Sequence, residues 1–293
     1  MESQLKGIKI AVLGGDEREL EMLRLLATTG VQIKTLGDPG VKIPGIEVKD
    51  RLSTVIDNVD VVIAPMTSTD EDDYLKATFV NKAVQLTEEF FASLESNTLF
   101  LIGVARGSIN DYCNEYDISL IQLAKLDEVA ILNAIPTAEG AIQIAMEESN
   151  ITLHSNKSMV LGLGRVGLTQ ARMLAGIGSQ VYGVARDAGD RARAKEMGIT
   201  PVDFDELKEI ISEMDFIFNT VPALVLDREL LTEVKSDALI IDLASAPGGV
   251  DFEVAKELGI KALLSLGLPG RVAPKTAGQI LGKVIPRLIV DRM

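Results

Sequence analysis

Six residues, Gly162-Leu163-Gly164-Arg165-Val166-Gly167, have the types and spacing to hold a pyrophosphate. Gly162 permits a tight turn, Gly164 lets backbone approach the phosphates, and Gly167 lets the following helix pack close to its strand. The amides and positive dipole end of that helix favour a dianion, and Arg165 adds charge beside them. The apolar run Ser158 to Leu161 reads as the strand before the turn, and Gln180 to Ala185 as the next one. Just past Ala185, where an acidic side chain would take a ribose 2′-hydroxyl, stands Arg186. A guanidinium binds a 2′-phosphate through forked, charge-assisted hydrogen bonds, so NADP is expected over NAD. Asp187 could pair with Arg186 or take the hydroxyl itself, which leaves NAD open.

Ligands in wound α/β sheets lie beyond the carboxyl ends of the strands. The segments there are Asn219-Thr220-Val221-Pro222, Asp242-Leu243-Ala244-Ser245 and Leu266-Gly267-Leu268-Pro269-Gly270-Arg271. From them Asn219, Thr220, Val221, Pro222, Asp242, Ala244, Ser245, Leu266 and Pro269 are expected to line the cofactor. A carboxylate-bearing substrate needs cations, hydroxyls or helix amides. Candidates are Thr67, Ser68, Arg106, Ser108, Thr137, Arg271, Lys275 and Thr276, with Glu139, Lys275 and Ser245 as catalytic candidates. Glu139 either takes a proton or caps its helix. The acidic run Asp70 to Asp73 reads as a solvated helix start. The one histidine, His154, falls in a polar connection and reads as a surface residue. With a single cysteine, Cys113, an intrachain disulfide and a thiolate zinc site are excluded.

The elements that must carry these groups alternate between strand and helix, the signature of parallel sheets covered on both faces. The fold class expected is α/β, two doubly wound Rossmann-like domains joined by a linker helix with a cleft between them. The proposed division is 1–132 for a substrate-side domain and 133–293 for the nucleotide domain. The linker helix is expected over about 136–149, opened by Pro136, and a last helix over about 276–293, interrupted by Pro286 and able to pack back on the first domain. Strands are expected at Ile8 to Leu13, Val31 to Leu36, Asp60 to Ala64, Ala83 to Leu86, Thr98 to Gly103 and Ile118 to Ile121. In the second half they are expected at Thr200 to Phe204, Asp215 to Asn219, Ala238 to Asp242 and Ala262 to Leu266. Gly14-Gly15-Asp16 lacks a third glycine and reads as a structural or substrate-side turn, not a second nucleotide site. The 293 residues allow two domains, and a net charge of −14 argues against nucleic acid and anionic membranes as partners. The opening residues carry no signal-peptide pattern, no apolar stretch is read as transmembrane, and a cytoplasmic enzyme is expected.

Taken together, GLGRVG, NAIPTAEGAI, IDLASAPGGVDF, LGLPGRVAPKTAGQIL and the opening KIAVLGGDERELE resemble the A-type dipicolinate synthase family of spore-forming bacteria, over nearly the whole chain. The resemblance implies NADP-dependent oxidation of a dihydrodipicolinate-type ring to pyridine-2,6-dicarboxylate in the mother cell during sporulation. It also implies a flavoprotein-like partner, the B-type subunit of dipicolinate synthase; a homo-oligomer is expected besides. Asp187 departs from the small hydroxyl residue expected beside Arg186. The architecture is similar to alanine and 2-hydroxy-acid dehydrogenases, which supply the alternative activity; a third reading is a non-catalytic NADP-binding scaffold. Aromatisation drives hydride loss from a dihydropyridine, so the reaction needs positioning more than a strong base, in keeping with the lack of a usable histidine.

Overall fold

Short apolar runs closed by glycine turns form the strands of two parallel sheets. The computed structural model describes residues 2–292. In the first sheet are β1 (Lys9–Val12), β2 (Gln32–Leu36), β3 (Ile46–Lys49), β4 (Val61–Ile63), β5 (Leu99–Ile102) and β6 (Ser119–Gln122). In the second are β7 (Lys157–Leu161), β8 (Gln180–Val184), β9 (Thr200–Val202), β10 (Phe216–Asn219), β11 (Leu239–Asp242) and β12 (Lys261–Leu264). The orders are β3-β2-β1-β4-β5-β6 and, read from the other edge, β9-β8-β7-β10-β11-β12. Both are the doubly wound order, so in each sheet the winding reverses beside the first strand and opens a crevice there. The inner strands β4, β5, β10 and β11 are buried along their whole length, as sheets covered on both faces require.

Contacts divide the chain into one unit of residues 1–130 with 273–293 and another of 131–272. The C-terminal helix, Pro274–Arg292, therefore completes the first unit and not the 133–293 domain. It lies against the helix Glu17–Leu26 because Gly278 and Gly282 allow close approach: a Cβ at Gly278 would sit 2.4 Å from the Arg18 carbonyl oxygen. Pro286 is inside this helix and does not break it; Met293 lies outside the described residues. Four more expectations need correction. The connecting helix is Asp127–Glu148, so Pro136 is interior, not its opening residue. There the Thr137 hydroxyl donates to the Asn133 carbonyl at 2.8 Å. Ala83 to Leu86 is not a strand but part of a loop whose Gln85 makes one isolated bridge to Tyr74. The edge strand β3 was unforeseen. The Asp70–Asp73 run starts no helix: the Asp70 carboxylate accepts the Asp72 and Tyr74 amides, closing a turn.

By length and composition the connecting helix is apolar enough to cross a membrane, contrary to the sequence reading. Its Ala134, Ala138, Ala141 and Ala145 are fully buried, and the last two belong to the core beside β7 and β10. Such a stripe is that of a core helix.

Candidate functional site

The second unit builds its site at the carboxyl end of β7. Gly162 has φ +85°, and a Cβ there would meet Thr220 Oγ1 at 2.8 Å. At Gly167 a Cβ would lie 1.8 Å from the Gly162 carbonyl oxygen, while at Gly164 it would meet nothing within 4 Å. Gly162 makes the tight turn, Gly167 packs against it, and Gly164 borders open space. The helix Arg165–Ile177 that follows has no side-chain cap hydrogen bond, and its N-cap Gly164 borders open space. Thr220 braces the turn, its hydroxyl donating to the Leu161 carbonyl at 2.8 Å. This arrangement fits the pyrophosphate of a nicotinamide dinucleotide.

Beyond β8, Arg186 lies over the Phe204 ring, 5.3 Å from guanidinium carbon to centroid. Asp187 does not pair with it: its Oδ1 accepts the Gly189 and Asp190 amides at 2.8 and 3.1 Å and caps the helix Ala188–Glu196. Arg191, paired with Asp203 at 2.7 Å, donates to the carbonyls of Ala185 and Arg186 and fixes the backbone there. Phe204 and Arg191 escaped the sequence reading. The adjacency of β8 and β9 would have pointed to both.

Several expected cofactor contacts are turned inward. Asn219 and Asp242 are fully buried. Asn219 Nδ2 donates to Asp242 Oδ1 at 2.8 Å, and Asp242 also accepts the Ala244 and Gly249 amides. The pair is a brace that ties the ends of β10 and β11 to each other and to the loop that follows β11. Leu163, Ala185 and Ala244 are also buried and can offer only backbone. Val166, Thr220, Val221 and Pro269 are half-buried; Arg165, Pro222, Ser245 and Leu266 are exposed around the strand ends. In this unit Thr137 is half-buried, and Glu139 and Arg271 are exposed. Because Glu139 is mid-helix, the capping role is excluded for it. His154 packs over Gly178 at the amino end of β7, the far end of the sheet from Gly162.

In the first unit the Thr67 and Arg106 loops come together at the ends of β4 and β5. Ser68 is almost wholly buried, and its hydroxyl accepts the Val104 amide at 2.7 Å, so it joins the loops and is not available to a substrate. Thr67 is half-buried with its hydroxyl donating to the Lys76 carbonyl. The Ser108 amide donates to Asp73 at 3.3 Å, and burial, with Asp70 and Asp72 nearby, holds the Asp73 carboxyl above its ordinary range. Among the described residues Arg106 and Lys275 are exposed with no ion pair, as is Thr276 without a hydrogen bond from its hydroxyl. The Gly14-Gly15 turn of this unit is closed by its own chain: a Cβ at Gly14 would lie 2.6 Å from Val80.

Comparison with known proteins agrees with this division. Residues 9–124 match the N-terminal domain of the A-type component of dipicolinate synthase, and 136–258 the NAD-binding domain of D-isomer specific 2-hydroxyacid dehydrogenases. The A-type dipicolinate synthase of Bacillus subtilis (strain 168) is 38% identical over 98% of this chain and 97% of its own. The crystal structure of the A-type dipicolinate synthase from Bacillus halodurans superposes with a TM-score of 0.93 at 37% identity, covering 97% of this chain and 98% of that one. An L-alanine dehydrogenase shares the fold at 14% identity and a TM-score of 0.64, over 96% of this chain and 89% of that one. The second unit is a nicotinamide-cofactor domain of the dehydrogenase type, and the protein has an oxidoreductase fold. With identity sustained from end to end, and with its two wound sheets matched by a relative's crystal structure, the chain belongs to the A-type dipicolinate synthase family.

Proposed function

We propose that this protein uses NADP to oxidise a dihydropyridine dicarboxylate to pyridine-2,6-dicarboxylate, as a homo-oligomer and together with a B-type subunit. The chain-long relation to the dipicolinate synthases carries this reading. Preference for NADP rests on Arg186, which is stacked on Phe204 and free of Asp187. The bound cofactor would accept hydride from the ring carbon. The amides after Gly164 hold its pyrophosphate and Arg186 its 2′-phosphate. Thr67, Arg106, Ser108, Thr137, Arg271, Lys275 and Thr276 are assigned to the substrate carboxylates, with Lys275 and Ser245 fixing the ring. Glu139 takes the proton lost as the ring becomes aromatic.

The test incubates the chain with NADP and a dihydropyridine-2,6-dicarboxylate, alone and with a B-type subunit, and reads pyridine absorbance. No product in any combination sinks the proposal; turnover of alanine or a 2-hydroxy acid by the chain alone transfers it to the dehydrogenase alternative. Arg186→Ala should weaken NADP binding about ten- to hundredfold and NAD binding by only a few fold, since a charged hydrogen bond contributes ~1.5–3 kcal/mol.

A further inference from the structure

The first sheet has the strand order of the second, so its ligand position lies over the carboxyl ends of β1, β2 and β3. A dinucleotide cannot use it. Besides Val80 against Gly14, the Thr78 amide and hydroxyl donate to the Gly15 carbonyl at 2.8 and 2.9 Å, covering the turn. Asp16 and Glu19 cap the helix Glu17–Leu26, which places carboxylates where a phosphate would sit. The segment that seals the turn also forms one wall of a groove of about 630 Å³ over the ends of β2 and β3, within the size of small-molecule sites.

Its lining is mixed. Leu36, Leu52, Val80 and Val84 supply an apolar floor. Asp38, two residues past β2, stands where dinucleotide folds place the acid that takes ribose hydroxyls. Its Oδ1 accepts the Gly40 amide at 2.9 Å, and among the described residues Oδ2 accepts no hydrogen bond. Arg51 and Lys82 are exposed on the rim and, among the described residues, have no ion pair, whereas Lys49 is held by Glu47. Asp50 also lines the rim. Arg51 and Lys82 offer two cations to an anion beside an apolar floor, with the Asp38 and Asp50 carboxylates on the same lining.

We infer that this groove binds a ribonucleoside monophosphate. Its ribose hydroxyls would meet Asp38, its base the apolar floor, and its phosphate Arg51 and Lys82 in place of the sealed glycine turn. The inference is independent of the reaction proposed above. Calorimetry of the full chain, with NADP saturating the second unit, would titrate adenosine 2′- and 5′-monophosphate, adenosine and inorganic phosphate. One monophosphate should bind at a single site at least tenfold more tightly than adenosine or phosphate. Arg51→Glu with Lys82→Glu should weaken it at least tenfold with NADP affinity unchanged; Arg51→Gln with Lys82→Gln serves if the charge reversal unfolds the protein. Asp38→Ala should weaken the nucleotide and leave inorganic phosphate unaffected. No heat with either nucleotide, insensitivity to the rim substitutions, or phosphate binding as tightly as nucleotide would each overturn the inference. If NADP itself does not bind, the same titrations without it still read this groove.

Discussion

Gly164 and Gly167 share a turn and answer to different demands. Gly164 borders open space, so Gly164→Ala should cost about 0.5–1 kcal/mol of unfolding free energy at this N-cap position and weaken NADP binding about tenfold. Gly167→Ala forces a methyl onto the Gly162 carbonyl and should cost about 1–3 kcal/mol of stability as well. Urea unfolding and cofactor titration of both variants separate the two effects. Glu19 gives the first unit a pH dependence. Burial, reinforced by the Asp16 charge and opposed by Arg18 and by the Asp16 and Met66 amides, pushes its carboxyl up to about 7. A carboxyl raised on folding favours the protonated native state, so its contribution to stability falls as pH rises from about 4.5 to about 7 and is level above that. Glu19→Gln cannot ionise, and the gap between its unfolding free energy and that of the wild type should change between pH 5 and pH 8 in that direction; an unchanged gap would refute it. At this scale spacing brought out the glycine turn ahead of the helix Arg165–Ile177. It did not reveal that Ser68, Asn219 and Asp242 face inward, because a polar residue at a strand end reads alike whether it meets a ligand or a neighbouring loop.

Among the elements, the pairing of the C-terminal helix with Glu17–Leu26 depends on small residues at the contact. Gly278→Val would drive a branched side chain into the Arg18 backbone, and a loss of about 1–3 kcal/mol is expected in denaturant unfolding, accompanied by faster amide exchange in the helix Glu17–Leu26. The strands that were legible, such as β4 and β10, are continuous apolar runs, the signature of a parallel strand buried on both faces. Strand β3 was not, because this edge strand carries neither an apolar run nor an alternating pattern: the adjacent Glu47 and Val48 are both exposed. Pro136 misled for a related reason, since proline rules favour a helix start and here the flanking helical turns, with Thr137 back-bonded to Asn133, carry the helix through it.

At the scale of the whole molecule, one winding order occurs twice and one copy alone keeps an open glycine turn. The chain leaves the first unit near residue 130, builds the second from a single continuous stretch, and returns at 273. Ile280, Leu281, Val284 and Ile285 of the returning helix share a core with Leu23, Leu26 and Ile33. A fragment spanning 131–272 should therefore fold and take up cofactor unaided, whereas 1–130 should be soluble and cooperative only when a 273–293 peptide is supplied; circular dichroism of the two fragments, with and without the peptide, is the measurement. On the ribosome this layout inverts the reading order. The half encoded later is the first that can close, and the half that emerges first waits, with an apolar face uncovered, for residues 273–293 to be translated.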